Sequence, residues 1–292
     1  MELGIHLVNY TFPGGPASIA GHVKDTVIAA EEIGVTHIST MDHYFQMEFI
    51  GSAQMEMIEA YTTLGFIAAH TRKARIGVLV TGVTYRHPGL LAKIIASLDV
   101  LSGGRAELGI GSAWYEREHR GLGVPFPGQR ERAERLEETL QICHQMWSDN
   151  DGPYNGKHFQ LAETICNPRP LTRPRPPILI GGEGEKRTLP LVARYADACN
   201  LFTHLTVDGV RHKLEVLRRH CEDARCDYAT IRKTILYAGG PPQNADAFAR
   251  EMEAYAALGV DLVIVVPFGP DPAAVVRGLE SIAKKISTIA PA

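Results

Sequence analysis

The residues best suited to chemistry lie just past short apolar runs: Asp42-His43-Tyr44, Thr81-Gly82, Ser112-Ala113-Trp114-Tyr115-Glu116 and Gly181-Gly182-Glu183-Gly184. His43 is the natural proton-exchanging group, because an imidazole changes charge near neutral pH, and Asp42 stands beside it. Trp114 and Tyr115 offer a wall for a planar ligand. The run Gly181 to Gly184 precedes a helix start, where successive backbone amides can curve round an anion, with Lys186 and Arg187 to offset Glu183 and Glu185. Glu116, Glu118 and His119 read as the solvated start of a loop. The remaining histidines, among them His6, His87, His158 and His204, lack metal-ligand spacing, so no metal is expected.

The elements that must position these groups alternate regularly. Val-, Ile- and Leu-rich runs occur near Leu3–Val8, His37–Thr40, Arg75–Val80, Ala106–Ile110, Pro177–Ile180, Ala198–Leu201, Thr234–Tyr237 and Leu262–Val266. Segments of helical period follow near 18–33, 55–70, 89–101, 130–147, 185–196, 207–224, 244–258 and 272–286. Eight such units favour a closed α/β barrel of the (β/α)8 (TIM) type, whose active sites form at the C-terminal ends of the strands. Gly34 and Gly259 read as helix stops. Residues 1–292 read as a single domain of this type, with an insertion at Ser148–Pro177 before strand five.

That insertion holds Tyr154-Asn155-Gly156, a hairpin arm near Lys157–Leu161, and a proline-rich run with Arg169, Arg173 and Arg175. It joins a helix to the start of a strand and so belongs at the N-terminal face, where its arginines read as a solvated spacer. The loop Phe45–Met55 admits two readings, an apolar wall made by Met47, Phe49, Ile50 and Met55 or the start of helix two.

A net charge of -3 with scattered Lys and Arg excludes a basic nucleic-acid-binding stripe. No apolar stretch reaches the length of about 18 residues that a membrane span needs, and no leader-like segment opens the chain. Five cysteines show no Cys-x-x-Cys pair, and Cys221 and Cys226 do not share a face of a continuous helix. A reduced, cytoplasmic protein acting on a small molecule is expected, with pairing into a homodimer left open. Gly109-x-Gly111 lacks the third glycine of a dinucleotide fingerprint, and no nucleophile elbow or Walker loop is present.

Taken together, Asp42-His43-Tyr44, Thr81-Gly82-Val83-Thr84-Tyr85-Arg86-His87-Pro88, Leu98 through Arg105, Gly109-Ile110-Gly111-Ser112-Ala113-Trp114 and Ile180 through Arg187 resemble the bacterial luciferase-like superfamily. The pattern is similar, more narrowly, to its branch using the deazaflavin coenzyme F420. The resemblance covers Met1 to about Phe202 and includes Arg194-Tyr195-Ala196-Asp197. It implies a hydride-transferring oxidoreductase whose barrel mouth holds the deazaflavin ring. Asp42 and His43 would lie at the reactive edge, His43 as the catalytic group. Leu79, Val80, Thr81, Gly82, Ser112, Trp114 and Tyr115 would lie round the ring, and Gly181, Gly182, Glu183 and Gly184 would take the cofactor phosphate. It also implies a non-prolyl cis peptide at Leu79-Val80 or one residue earlier. The sugar-phosphate dehydrogenase branch carries a catalytic glutamate where this chain has Trp114, which argues against a sugar phosphate and leaves Glu116 or Glu118 as the candidates to supply an acid nearby. The alternative is a monooxygenase using reduced FMN and oxygen, and a third reading is cofactor binding without turnover.

Overall fold

A computed structural model describes residues 1–292. Eight parallel strands close into a barrel: β1 (Glu2–Leu7), β2 (His37–Thr40), β3 (Arg75–Val78, resuming at Thr81–Gly82), β4 (Ala106–Gly111), β5 (Ile178–Gly181), β6 (Ala198–Phe202), β7 (Arg232–Leu236) and β8 (Val260–Val265). Pairing runs in chain order and β8 returns to β1 in register Leu3↔Val263. Helices cover the outside: α1 (Ile19–Glu32), α2 (Ala60–His70), α3 (Pro88–Ser102), α4 (Glu116–Leu122), α5 (Gln129–Met146), α6 (Thr188–Tyr195), α7 (Thr206–Ala224), α8 (Ala245–Ala256), α9 (Pro272–Gly278) and α10 (Glu280–Ile286). A continuous apolar core fills the layer between strands and helices, as a barrel buried on both faces requires.

The helix stops at Gly34 and Gly259 have φ of 89° and 81°, values only glycine adopts without strain. Other boundaries differ from the sequence reading. Helix two starts at Ala60 rather than 55, because the apolar loop before it folds over the barrel mouth. Helix 185–196 starts only at Thr188, after the glycine run. The last helix breaks at Leu279. α4 falls where the sequence reads as loop, since a seven-residue charged segment carries too little periodicity to signal a helix.

The insertion forms a small antiparallel hairpin, with Tyr154 opposite Leu161 and Asn155 opposite Gln160. The Glu138 carboxylate accepts from the amides of Lys157, His158 and Phe159 to close its turn. Thr172 bonds to Asp99 and to the Gly104 carbonyl, which fixes the proline-rich run against the connection entering β4, at the N-terminal rim. Arg175 pairs with Asp197, and Arg169 with Asp149. Those arginines are occupied structurally. The Cys221–Cys226 expectation changes: Arg225 adopts φ 56° and ends α7, the Cys226 amide returns 2.9 Å to the Cys221 carbonyl, and the two thiols adjoin. All five cysteines are free thiols. No helix is long and apolar enough to cross a membrane.

One irregularity shapes the mouth. β3 breaks after Val78, the peptide Leu79-Val80 is cis, and pairing resumes with Thr81 opposite Ile110. Neighbouring glycines make room for the displaced chain. A Cβ on Gly111 or Gly181 would stand 2.9 Å from the Val80 side chain, and one on Gly109 would stand 1.9 Å from the Val78 carbonyl oxygen. The Gly109 contact is with backbone, which cannot swing aside as a side chain can. Gly109→Ala is therefore expected to destabilise the fold by roughly 2–3 kcal/mol, read as a lower urea midpoint at unchanged m. A wild-type midpoint would contradict this packing.

Candidate active site

The Asp42-His43 pair leaves β2 toward the mouth, and its two side chains go to different partners. His43 Nδ1 lies 2.7 Å from Glu118 Oε1, whose side chain is wholly buried on α4. The other oxygen, Oε2, accepts the amides of Tyr44 at 2.7 Å and Phe45 at 3.2 Å, while the Tyr85 hydroxyl donates to Oε1. Burial alone would raise the Glu118 carboxyl. The hydrogen bonds from His43, Tyr85 and Tyr44 outweigh it and hold the group below the usual carboxylate range. An ionised acceptor at Nδ1 requires that nitrogen to carry the proton. His43 Nε2, which has no protein partner, is left for the cavity that His43 lines.

Asp42 is committed elsewhere. Arg86 grips it with two bonds, of 2.7 Å and 2.9 Å, and the Gly82 amide donates at 3.0 Å. Arg86 also reaches Glu59 at 2.5 Å and lies over the Tyr61 ring at 4.7 Å. Burial pushes the Asp42 carboxyl up against the pull of Arg86, and the guanidinium is itself raised by Asp42 against its own burial. The bidentate geometry is that of an ion pair. Asp42 thus pins β3 just beyond the cis peptide; both its oxygens are already engaged.

Three cavities meet at the mouth. The first, of about 260 Å³, brings Asp42, His43, Leu79, Val80, Thr81 and Gly82 together with Ser112, Trp114, Gly181 and Gly182. A second, of about 700 Å³, shares His43, Leu79 and Trp114 and is mostly apolar, with Met47, Phe49 and Ile50 on its wall. The wall reading of the 45–55 loop therefore holds for those three residues; Met55 is not among the lining residues. A third, of about 460 Å³, meets the first at Ser112 and is lined by Gly184, Lys186, Arg187 and Thr188. Glu185 and Lys213 line this cavity too, and the Glu185 carboxylate is bonded to Lys213 at 2.6 Å and His212 at 3.1 Å, which offsets its charge.

Three of the sequence-predicted residues do not join the first cavity. Tyr115 is buried behind Trp114, its ring stacked at 5.1 Å and its hydroxyl donating to Glu48 at 2.7 Å, because the turn at Ala113 (φ 60°) sends the two aromatics to different depths. Glu183 lines none of the three and lies 3.4 Å from His204. Gly184 belongs to the third cavity. Conversely, Tyr85 and Arg86 join the site without having been singled out by sequence reasoning, and of the two candidate acids Glu116 and Glu118 it is Glu118 that reaches His43. Tyr85 and Arg86 sit inside the motif Thr81 to Pro88, but no spacing rule links them to Asp42 or Glu118. No group of three or more His, Cys, Asp and Glu side chains is placed to hold a metal ion.

The chain has relatives in sequence and in fold among known proteins. The chain is 28% identical over 218 residues to an F420-dependent glucose-6-phosphate dehydrogenase of Nakamurella multipartita, a match covering 72% of this chain and 61% of that enzyme's length. It is 29% identical over 132 residues to an FMNH(2)-dependent dimethylsulfone monooxygenase of Pseudomonas putida, covering 45% of this chain and 36% of that enzyme. Among solved structures, an F420-dependent secondary alcohol dehydrogenase in complex with an F420-acetone adduct superposes with a TM-score of 0.82 at 15% identity, covering 98% of each chain. The family model for luciferase-like monooxygenases matches residues 1–276, the whole barrel through α9 apart from its last two residues, and the chain belongs to the luciferase-like monooxygenase family.

Proposed function

We propose that this chain is an F420-dependent oxidoreductase that moves a hydride between the deazaflavin and a small, largely apolar organic substrate. The observation that carries the reading is His43, fixed through Nδ1 and open through Nε2 where the glycine-lined and apolar cavities meet. The residues present fit the cofactor. Gly82, Gly111, Gly181 and Gly182 line the first cavity with backbone, and the adjoining cavity offers Lys186 and Arg187 to an anionic tail. The F420-dependent relative supports the choice of cofactor.

When bound, the deazaflavin supplies the hydride acceptor or donor. The chain's own residues do the rest. Val80 and its glycine neighbours shape the floor, and Ser112 stands where the ring cavity joins the cationic one. The apolar lobe excludes water. His43 Nε2 takes the proton of a substrate hydroxyl or, in the reverse direction, returns it to a carbonyl oxygen. A sugar phosphate suits this lobe poorly, because Trp114 and the Met47, Phe49 and Ile50 side chains offer no cation to a phosphate.

Lys186→Ala with Arg187→Ala, which removes the two cations of the third cavity other than the Glu185-bound Lys213, is expected to weaken F420 binding about tenfold or more, since charge-assisted hydrogen bonds to an anion are lost. Fluorescence titration reads it, and an unchanged dissociation constant would contradict the assignment of that cavity. FMN is the competing ligand, favoured by the FMNH(2)-dependent relative. Titrating the purified chain with each cofactor separates the two: tighter binding of F420 supports the proposal, and tighter binding of FMN overturns it.

A further inference from the structure

The apolar lobe has one polar group in its floor that the proposed chemistry leaves unused. His6, on β1, is 3% exposed and lines this lobe together with Val8, Met41 and Leu236. Its Nδ1 lies 2.9 Å from Ser39 Oγ. The Ser39 hydroxyl donates to the Ile5 carbonyl at 3.3 Å, so its oxygen is free to accept, and Nδ1 is the nitrogen that carries the proton. Nε2 then holds a lone pair. It makes no protein hydrogen bond, and of the two cavities that His6 lines, the one shared with Tyr10, Phe12 and Thr26 is only about 10 Å³, so the apolar lobe is the one with room for a ligand.

Burial, with the neighbouring His37 and His43, drives His6 down to about 3, so the ring is neutral at any working pH. A neutral imidazole with an open lone pair is an acceptor only. An acceptor in an apolar pocket penalises ligands that cover it without offering a donor, because burying a polar group unpaired costs more than its bond returns.

We infer that His6 is a second recognition group of the substrate lobe, accepting a hydrogen bond from an O–H or N–H of the substrate, so that the enzyme selects apolar molecules carrying such a donor besides the reacting group. This inference rests on the assignment of the apolar lobe to the substrate, and not on which cofactor fills the neighbouring cavity. Ser39 acts as the positioning residue that fixes the tautomer.

Two matched probes test it, p-cresol, whose phenol donates, and 4-methylanisole, in which a methyl group has replaced that proton. Calorimetric titration of the chain without cofactor is expected to show p-cresol bound about tenfold more tightly, the worth of one hydrogen bond made to a group otherwise left unpaired. His6→Phe is expected to bring the ratio close to one, while His6→Gln, whose amide oxygen can reach the place of Nε2, restores part of it. His43→Ala, which removes the other open imidazole of the lobe, is expected to lower it less than His6→Phe does.

A preference that survives His6→Phe, or that is lost in His43→Ala instead, overturns the inference while leaving the lobe assignment intact. Binding of neither probe by the wild-type chain overturns the lobe assignment and the inference together. Should His6→Phe fail to fold, nitrogen NMR of the wild-type histidines decides. An Nδ1–H tautomer whose bare Nε2 resonance moves when p-cresol is added supports the role, and an Nε2–H tautomer overturns it.

Discussion

His43→Ala is expected to lower turnover by about 10²- to 10⁴-fold, the usual worth of a positioned general acid or base. The cofactor dissociation constant should change little, because the glycine turns and the cationic cavity are untouched by the substitution. That split between kcat and binding matters, since a purely structural histidine would lower both or neither. The surroundings of His43 suit it to proton transfer at a single atom, since Nδ1 is held 2.7 Å from a buried carboxylate and Nε2 alone is open. The measurement is the rate of reduced F420 oxidation over a panel of small ketones and aldehydes, beside a fluorescence titration of the cofactor. A variant that turns over at the wild-type rate would remove His43 from the mechanism.

Glu118→Gln is expected to be the most damaging substitution for stability near the site. The carboxylate collects His43 Nδ1, the Tyr85 hydroxyl and the amides of Tyr44 and Phe45, all donors. An amide side chain has one acceptor oxygen and turns an N–H toward donors on the other side. Breaking a buried charge network in this way costs on the order of 3–5 kcal/mol. The cost should depend on pH, because the folded Glu118 is held below its usual value of 4.5. A depressed carboxyl stabilises the fold above the unfolded value and loses that stabilisation as pH falls through the folded one. The gap between wild type and Glu118→Gln in urea denaturation should therefore be widest near neutral pH and narrow below about 4.5. A gap constant across that range would show that the carboxylate's charge is not what matters. Glu118 is a positioning residue, so kcat should fall with His43's orientation while cofactor affinity stays near wild type.

The barrel and most of the mouth were legible in the sequence, for a physical reason. Strand ends in such a barrel are marked by small residues that let the backbone approach a ligand, and Thr81-Gly82, Gly111-Ser112 and Gly181-Gly182 stand at three of them. Asp42-His43 was legible for the same reason, as polar residues directly after a buried strand. The directions of their side chains were not. That Asp42 turns to Arg86 and His43 to Glu118 depends on how three loops fold over one another, across 44 and 75 positions of chain. The choice of Glu118 over Glu116 was hidden, because Glu116-Arg117-Glu118-His119-Arg120 is charged enough to read as solvated while its third member is fully buried. Tyr115 erred the other way. An aromatic beside Trp114 invited a place against the ring, whereas the left-handed turn at Ala113 seats it behind its neighbour.

Hydride transfer at this mouth is tested most directly by following reduced F420 in the presence of the purified chain, with and without oxygen and with and without a small ketone. A carbon in place of the reactive flavin nitrogen makes the deazaflavin a hydride carrier that reacts poorly with oxygen. Oxidation that requires the ketone and runs equally fast under anaerobic conditions is the predicted result. Oxidation that requires oxygen, or a chain that accepts only reduced FMN and consumes oxygen with it, would contradict it.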